Sequence, residues 1–324
     1  MNLYLTIDTE LSSGLYQDLG KSALKEILDR SIIGKTESKD VGISYQMDVL
    51  DRSRLKAVFF VDPMPALIFG IGVVRDIVQP ILDRGHDVQL HLHSEWLKFL
   101  DTPLLGERKF NELKQYGLED QIALVRFARE TLIEAGAPPP TAFRAGNYSA
   151  NDDTLRALAI NKIPYDTSFF TGKLTGSCDI SLPKSTFAPV RHCGVIEVPI
   201  GAIGGPDGTL RHAQLTALSY WELKDAIAYM KQQGVRYFSM VSHSFELMSR
   251  DRRKANFVVA RRFEKLCAHL GKLDSVKTST YRDDPPQVGE PHKPPASYVL
   301  PHRYARTLAR TGEQAVSNLL FGSR

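Results

Sequence analysis

The chain has 324 residues, 43% hydrophobic and 24% charged, with a formal net charge of +4. Those values suit a globular protein with a sizeable core, and the modest basic excess, unaccompanied by any nucleic-acid-binding motif, argues against a nucleic-acid partner. Cys178, Cys193 and Cys267 are too few and too scattered for a disulfide framework or a Cys-x-x-Cys zinc site, and no run of about 18 apolar residues offers a membrane span.

The opening MNLYLTIDTE enters a strand at once, without the basic segment and apolar core of a leader, so the expected location is cytoplasmic. This first strand, Asn2 to Asp8, stops on two carboxylates, Asp8 and Glu10, which an interior position would have to pair or ligate. Helical patterning over 18–56 is broken by a polar stretch at 34–42. Ala57 to Val61 is then a continuous apolar run of the kind buried on both faces of a parallel sheet. Ile71 to Arg84 reads as a helix stopped by Gly85.

The next strand is the most distinctive stretch: Gly85-His86-Asp87-Val88-Gln89-Leu90-His91-Leu92-His93-Ser94-Glu95-Trp96. Alternation puts Asp87, Gln89, His91 and His93 on one face and His86 on the other, where a structural role is expected.

An irregular insertion to Gly117 precedes a helix over about 119–135. A strand at 141–148 carries Arg144, a helix over 153–161 is capped by Asn151 or Asp152, and a strand at 164–169 contains Asp166. Residues 170–215 read as loops and short strands, one of them at 195–199. Tyr220 to Gln233 is an amphipathic helix, and Tyr237 to His243 a strand ending on a histidine. Arg250 to Leu270 is expected to be helical, with its arginines on a solvated face.

The domain organisation predicted is a (β/α) barrel over 1–271, an extended Pro-rich linker over 272–301 and a C-terminal helix over 302–324. That helix could pack on the domain, contact a partner, or lie peripherally on an acidic membrane surface.

Alternating strands and helices predict right-handed crossovers and a parallel sheet or barrel. Asp8 and Glu10, His91 and His93, Arg144, Asp166 and His243 all fall at carboxyl ends of expected strands, which converge on one face of a parallel barrel. Two imidazoles and a carboxylate suit a catalytic zinc with one open position. A second carboxylate can take a proton from water, an arginine can keep it charged, and a further histidine can protonate a leaving amine.

These segments, in this order, resemble the polysaccharide deacetylases of the NodB homology family, carbohydrate esterase family four, and in particular the cytoplasmic branch associated with lipopolysaccharide and O-antigen biosynthesis. The resemblance covers about residues 1–270. It rests on Thr6-Ile7-Asp8-Thr9-Glu10, His91-Leu92-His93-Ser94-Glu95, Phe143-Arg144-Ala145-Gly146, Tyr165-Asp166-Thr167-Ser168 and Val241-Ser242-His243-Ser244.

It implies a distorted (β/α) barrel of about seven parallel strands and a metal-dependent hydrolysis of the N-acetyl amide of an amino sugar on a nucleotide or lipid carrier. It implies Zn2+ or another divalent ion on Glu10, His91 and His93, with Asp8 as base, Arg144 orienting Asp8, and His243 as general acid. Asp166 would position His243 or the substrate, and the C-terminal helix could meet a membrane or a glycosyltransferase.

Two positions depart from the family pattern. Thr9 stands where the family has its metal-binding Asp, leaving open whether Asp8 or Glu10 is the ligand. Glu95 stands where the second metal His falls, as an alternative to His93. A hydrolase of a non-sugar amide, allantoinase-like, and a metal-free carbohydrate-binding or scaffold protein are the rival readings.

Overall fold

The computed structural model describes residues 1–101, 104–173, 177–289 and 297–322. Its strands are β1 (Asn2–Thr9), β2 (Val58–Val61), β3 (Asp87–Leu92), β4 (Leu104–Glu107), β5 (Ala142–Ala145), β6 (Tyr165–Asp166), β7 (Val190–His192), β8 (Val195–Glu197), β9 (Ala202–Gly204), β10 (Leu210–His212), β11 (Tyr237–His243) and β12 (Lys277–Thr278). The helices are α1 (Ser13–Leu19), α2 (Leu24–Leu28), α3 (Ile43–Arg52), α4 (Ala66–Phe69), α5 (Ile71–Asp83), α6 (Leu118–Glu134), α7 (Asp152–Ile160), α8 (Tyr220–Gln232), α9 (Phe257–Leu270) and α10 (Tyr304–Phe321).

The strands β11-β1-β2-β3-β5-β6-β8 lie side by side with every neighbouring pair parallel, and β7 adds an antiparallel edge on β8. This is the distorted (β/α) barrel of about seven parallel strands that the family resemblance implies, with the parallel order that the strand-helix alternation predicts. β2 is buried along its whole length, as a strand covered on both faces must be. α5 presents Val73, Val74, Ile77, Val78 and Ile81 to the sheet. The chain leaves it through Gly85 at φ 66°, the left-handed conformation that glycine adopts without a Cβ penalty.

The barrel is open between its two edge strands, β11 and β7. Residues 201–215 fill part of that opening by running along β11: Gly201 donates to the Ser239 carbonyl (2.9 Å), Val241 to that of Ala213 (2.9 Å), and Leu215 to that of Val241 (3.0 Å). The least regular part of the sequence therefore forms one wall of the barrel mouth.

Three expectations are corrected. The segment over 272–301 is not simply a linker, because β12 pairs with β1 and Tyr281 is buried in a cluster with Tyr4, Val58 and Phe60. Arg282 reaches the buried Asp87 (3.4 Å), and Leu300 packs into the main core. The helix expected from Arg250 starts at Phe257, capped by Asn256. Before it, the Ser249 hydroxyl accepts from the N–H groups of Arg253 (3.2 Å) and Lys254 (2.9 Å), a local turn that competes with helix formation. Arg262, expected on a solvated face, is buried and donates to the Leu215 carbonyl (2.7 Å).

Candidate metal and acid–base site

The sheet register brings the ionisable strand ends together. Asp8 on β1 is directly opposite His243 on β11, and His91 on β3 is opposite Arg144 on β5. His93 lies just past β3 but keeps an extended backbone (φ −107°, ψ 108°), so the alternation holds and the two imidazoles stay on one face, 4.9 Å apart between ring centres.

Glu10 lies between them: its Oε2 is 3.1 Å from His91 Nε2 and 2.5 Å from His93 Nε2. Both Nδ1 atoms are engaged elsewhere, His91 with the Arg144 carbonyl (2.7 Å) and His93 with Glu95 Oε1 (2.7 Å). An imidazole that donates from Nδ1 to an acceptor presents its Nε2 lone pair as a ligand. One carboxylate oxygen and two such nitrogens therefore converge, and this donor set fits a divalent ion such as zinc. Burial disfavours the imidazolium of His93, but the charges and hydrogen bonds of Glu10 and Glu95 outweigh it and raise its pKa well above the ordinary value.

Glu95 thus meets the nitrogen of His93 remote from Glu10, and it also accepts from the Ser13 hydroxyl (3.1 Å). It orients His93 rather than taking its place. Thr9 is buried with its hydroxyl turned back to the Ile7 carbonyl (3.1 Å), so its side chain takes no part in the cluster. His86 sits on the other face beside Asp51 (3.3 Å), with burial pushing its pKa down to about 4.

Asp8 is held from behind. Arg144, fully buried against the Phe60 ring, donates from Nη1 to Asp8 Oδ1 at 2.5 Å and from Nε to the Thr167 carbonyl at 3.2 Å. The other oxygen of Asp8 lies 3.9 Å from His243 Nε2. The loop after Arg144 is shaped to fit: a Cβ on Gly146 would come within 2.6 Å of the His93 ring. Asn147 (φ 55°) and Tyr148 (φ 59°) both occupy the left-handed region, an uncommon conformation for residues with side chains.

Asp166 falls elsewhere than expected. Its carboxylate accepts from the backbone and hydroxyl of Ser168 (3.0 and 2.8 Å), and it is paired across the sheet with Glu197. Burial and the neighbouring Asp166 carboxylate push the Glu197 pKa well up. Ser168 in turn accepts from the Ala145 N–H (2.9 Å), so Asp166 supports the strand carrying Arg144. It makes no contact with His243 among the described residues.

The residue that holds His243 is Glu246, which sequence reasoning missed. Its Oε2 accepts the His243 backbone N–H (3.0 Å) and lies 3.6 Å from Nδ1 of the ring. Burial alone would lower the imidazole pKa, but the hydrogen bond and charge of Glu246 raise it to about 9. Gln214 completes the arrangement, donating to Glu246 Oε1 (2.7 Å) and standing 3.4 Å from His243 Nδ1. The available signal was the His243-x-x-Glu246 spacing immediately after a strand end.

Asp62, at the end of β2, was also missed. It lies 3.5 Å from the His93 N–H, and burial raises its pKa to about 6. The mouth is a cavity of about 210 Å³ bordered by Asp8, Glu10, His91, His93, Tyr148, Gln214 and His243. A second group with ligand potential, Asp152, His192 and Cys193, lies outside this cavity; there Asp152 is engaged by Ser181 (2.9 Å) and His192 (3.0 Å).

No family model and no curated protein matches the sequence. Among solved structures, a candidate polysaccharide deacetylase from Mycobacterium smegmatis is similar at 14% identity over 90% of this chain and 94% of that one, with a TM-score of 0.53. A 4-α-glucanotransferase from Thermococcus litoralis is similar at 12% identity over 87% of this chain and 39% of that one, with a TM-score of 0.52. A family 4 carbohydrate esterase from Streptomyces lividans aligns at 11% identity over 86% of this chain and 92% of that one, with a TM-score of 0.41. The likeness is one of fold. Function has to be argued from the side chains at the mouth.

Proposed function

We propose that the protein is a metal-dependent amide hydrolase that removes the N-acetyl group from an amino sugar in surface-polysaccharide assembly, of the lipopolysaccharide or O-antigen kind. The sugar would be carried on a nucleotide or a lipid. The observation that carries this reading is the sharing of Glu10 Oε2 between two Nε2 atoms whose Nδ1 partners are already fixed. The resemblance of five sequence segments to the NodB homology family supports the choice of substrate.

With a divalent ion, zinc suiting this donor set, held by Glu10, His91 and His93, the site would gain a Lewis acid that lowers the pKa of water towards about 7 and polarises the amide carbonyl. Asp8, fixed through Oδ1 by Arg144, takes the proton of the attacking water. His243, held protonated by Glu246, delivers its proton to the amide nitrogen as the C–N bond breaks. Acetate and the free amine leave. Asp8 and His243 face each other across neighbouring strands, so the two proton transfers take place on adjacent sides of one cavity.

The test is metal analysis of purified protein together with acetate release from nucleotide-linked and lipid-linked N-acetylamino sugars, with ureides as the contrast. Near-stoichiometric zinc and acetate release from a sugar are expected. Release from ureides alone would turn the assignment to an allantoinase-like hydrolase. Substoichiometric metal with unchanged stability on His91→Ala and His93→Ala would turn it to a metal-free carbohydrate-binding or scaffold protein.

A further inference from the structure

The C-terminal helix α10 is docked with its polar side inward. Arg306 pairs with Asp225 (2.9 Å), Arg310 approaches Glu222 (3.8 Å), Glu313 pairs with the buried Arg262 (3.1 Å), and Ser317 accepts from Asn256 (3.0 Å). These positions recur at intervals of three and four residues and so form one stripe. An arc running from the opposite side round to one edge of that stripe carries Tyr304, Leu308, Leu319, Val316 and Leu320, of which Tyr304, Leu308 and Leu319 are 75%, 72% and 84% exposed. No charged residue interrupts that side, because Glu313 is the only acidic residue of the helix and its arginines face the body. Helices of globular proteins bury the apolar stripe and expose the polar one, so this arrangement leaves a large apolar face to be covered by something else.

Two further features say what covers it. Exposed Trp221 from α8 and Phe257 from α9 flank the helix, with Phe257 edge-on to Phe321 at 4.9 Å. The rim is basic: exposed Arg261 and Lys265 line the groove between α8, α9 and α10, and exposed Arg250 donates its N–H to the Phe321 carbonyl (3.1 Å). The nearby carboxylates do not offset this, since Asp225, Glu222 and Glu313 are each paired with an arginine. A second copy of the chain would set this basic rim against itself, and the apolar arc is broader than the narrow seam of two packed helices. No described helix is long and apolar enough to cross a membrane. An apolar face with aromatic flanks and a cationic border is the pattern of a helix lying in the interface of a bilayer.

We propose that α10, with Trp221 and Phe257 beside it, seats the protein on the surface of a bilayer that carries anionic lipid. The inference rests on this surface alone and is independent of the proposed reaction. On the body side of α10, Gln314, Ser317 and Asn318 share a cleft of about 390 Å³ with Thr216 and Glu246.

The test is co-sedimentation of the full chain with phosphatidylcholine vesicles, with and without phosphatidylglycerol. Binding is expected to require phosphatidylglycerol and to weaken with salt. The double variant Leu308→Glu/Leu319→Glu should reduce it at least about tenfold, since it puts charge into the apolar face. An unchanged thermal midpoint will show that this exposed double variant is folded. Arg261→Glu/Lys265→Glu should also weaken binding while leaving the apolar face intact. Absence of vesicle binding, or binding indifferent to the leucine variant, overturns the proposal. So does a dimer in sedimentation that the leucine variant dissolves while vesicles are ignored, which would assign the face to a second copy.

Discussion

Glu246 grips His243 twice, accepting its backbone N–H at 3.0 Å and standing 3.6 Å from Nδ1 of its ring. The two groups are three residues apart, so the turn after β11 fixes their distance locally. The ring is thereby charged before any substrate arrives, which is the state a general acid requires.

This pair gives a pH prediction with a definite sign. The His243 pKa rises from 6.5 to about 9, so its stabilisation is complete below 6.5 and is lost as pH rises through about 9. The Glu246 pKa falls from 4.5 to about 2, although burial opposes this, so its share is complete above 4.5 and is lost as pH falls through about 2. NMR titration of the metal-free protein should show the His243 ring titrating near 9, and Glu246→Gln should move that titration down. A ring that titrates near 6.5 in both proteins would remove Glu246 from the mechanism.

His243→Ala should slow turnover by about 10²–10⁴-fold, the usual cost of a lost general acid, with metal content retained. Loss of metal together with His243 would mean that this ring, and not Glu10, His91 or His93, completes the metal set.

The support of His93 gives a separate expectation. Glu95→Gln weakens the partner of Nδ1 and should lower metal affinity by about 10–100-fold, read by competition with a chromophoric chelator. Gly146→Ala should do so as well, since its Cβ would come within 2.6 Å of the His93 ring. Metal binding as tight as in the unsubstituted protein would show that His93 needs neither support.

The Asp8–Arg144 pair is buried, and breaking one side leaves an uncompensated charge. Arg144→Met should cost about 3–5 kcal/mol in urea unfolding, in addition to abolishing the orientation of Asp8. A stability change below about 1 kcal/mol would mean that water reaches Asp8 and that the pair is no more than a surface contact.

Truncation after Leu270 should not leave a folded barrel, because it removes β12 and the buried ring of Tyr281. Tyr281→Ala alone should cost about 3–5 kcal/mol, in the range for a large buried aromatic. A soluble, cooperatively melting 1–270 fragment would restore the segment after it to the status of a linker.

The sequence by itself determined the barrel and most of the mouth. Continuous apolar runs at 57–61 and alternation through His91 and His93 are short-range signals, and parallel strands converge at their carboxyl ends by topology, so Asp8, Glu10, Arg144 and His243 could be placed on one face without coordinates. Only the tertiary structure decided which groups touch. Glu95 became the partner of His93, Asp166 withdrew beneath Arg144, and Glu246 and Gln214 took hold of His243. Each of these depends on rotamers, and the Gln214 contact depends also on a loop, 201–215, whose course follows long-range hydrogen bonding to β11 and leaves no periodic trace in the sequence. The same limit applies to α10. Its amphipathic pattern was legible, but periodicity is silent on which face meets the body, and ion pairs with Asp225, Glu222 and Arg262 turned the polar side inward.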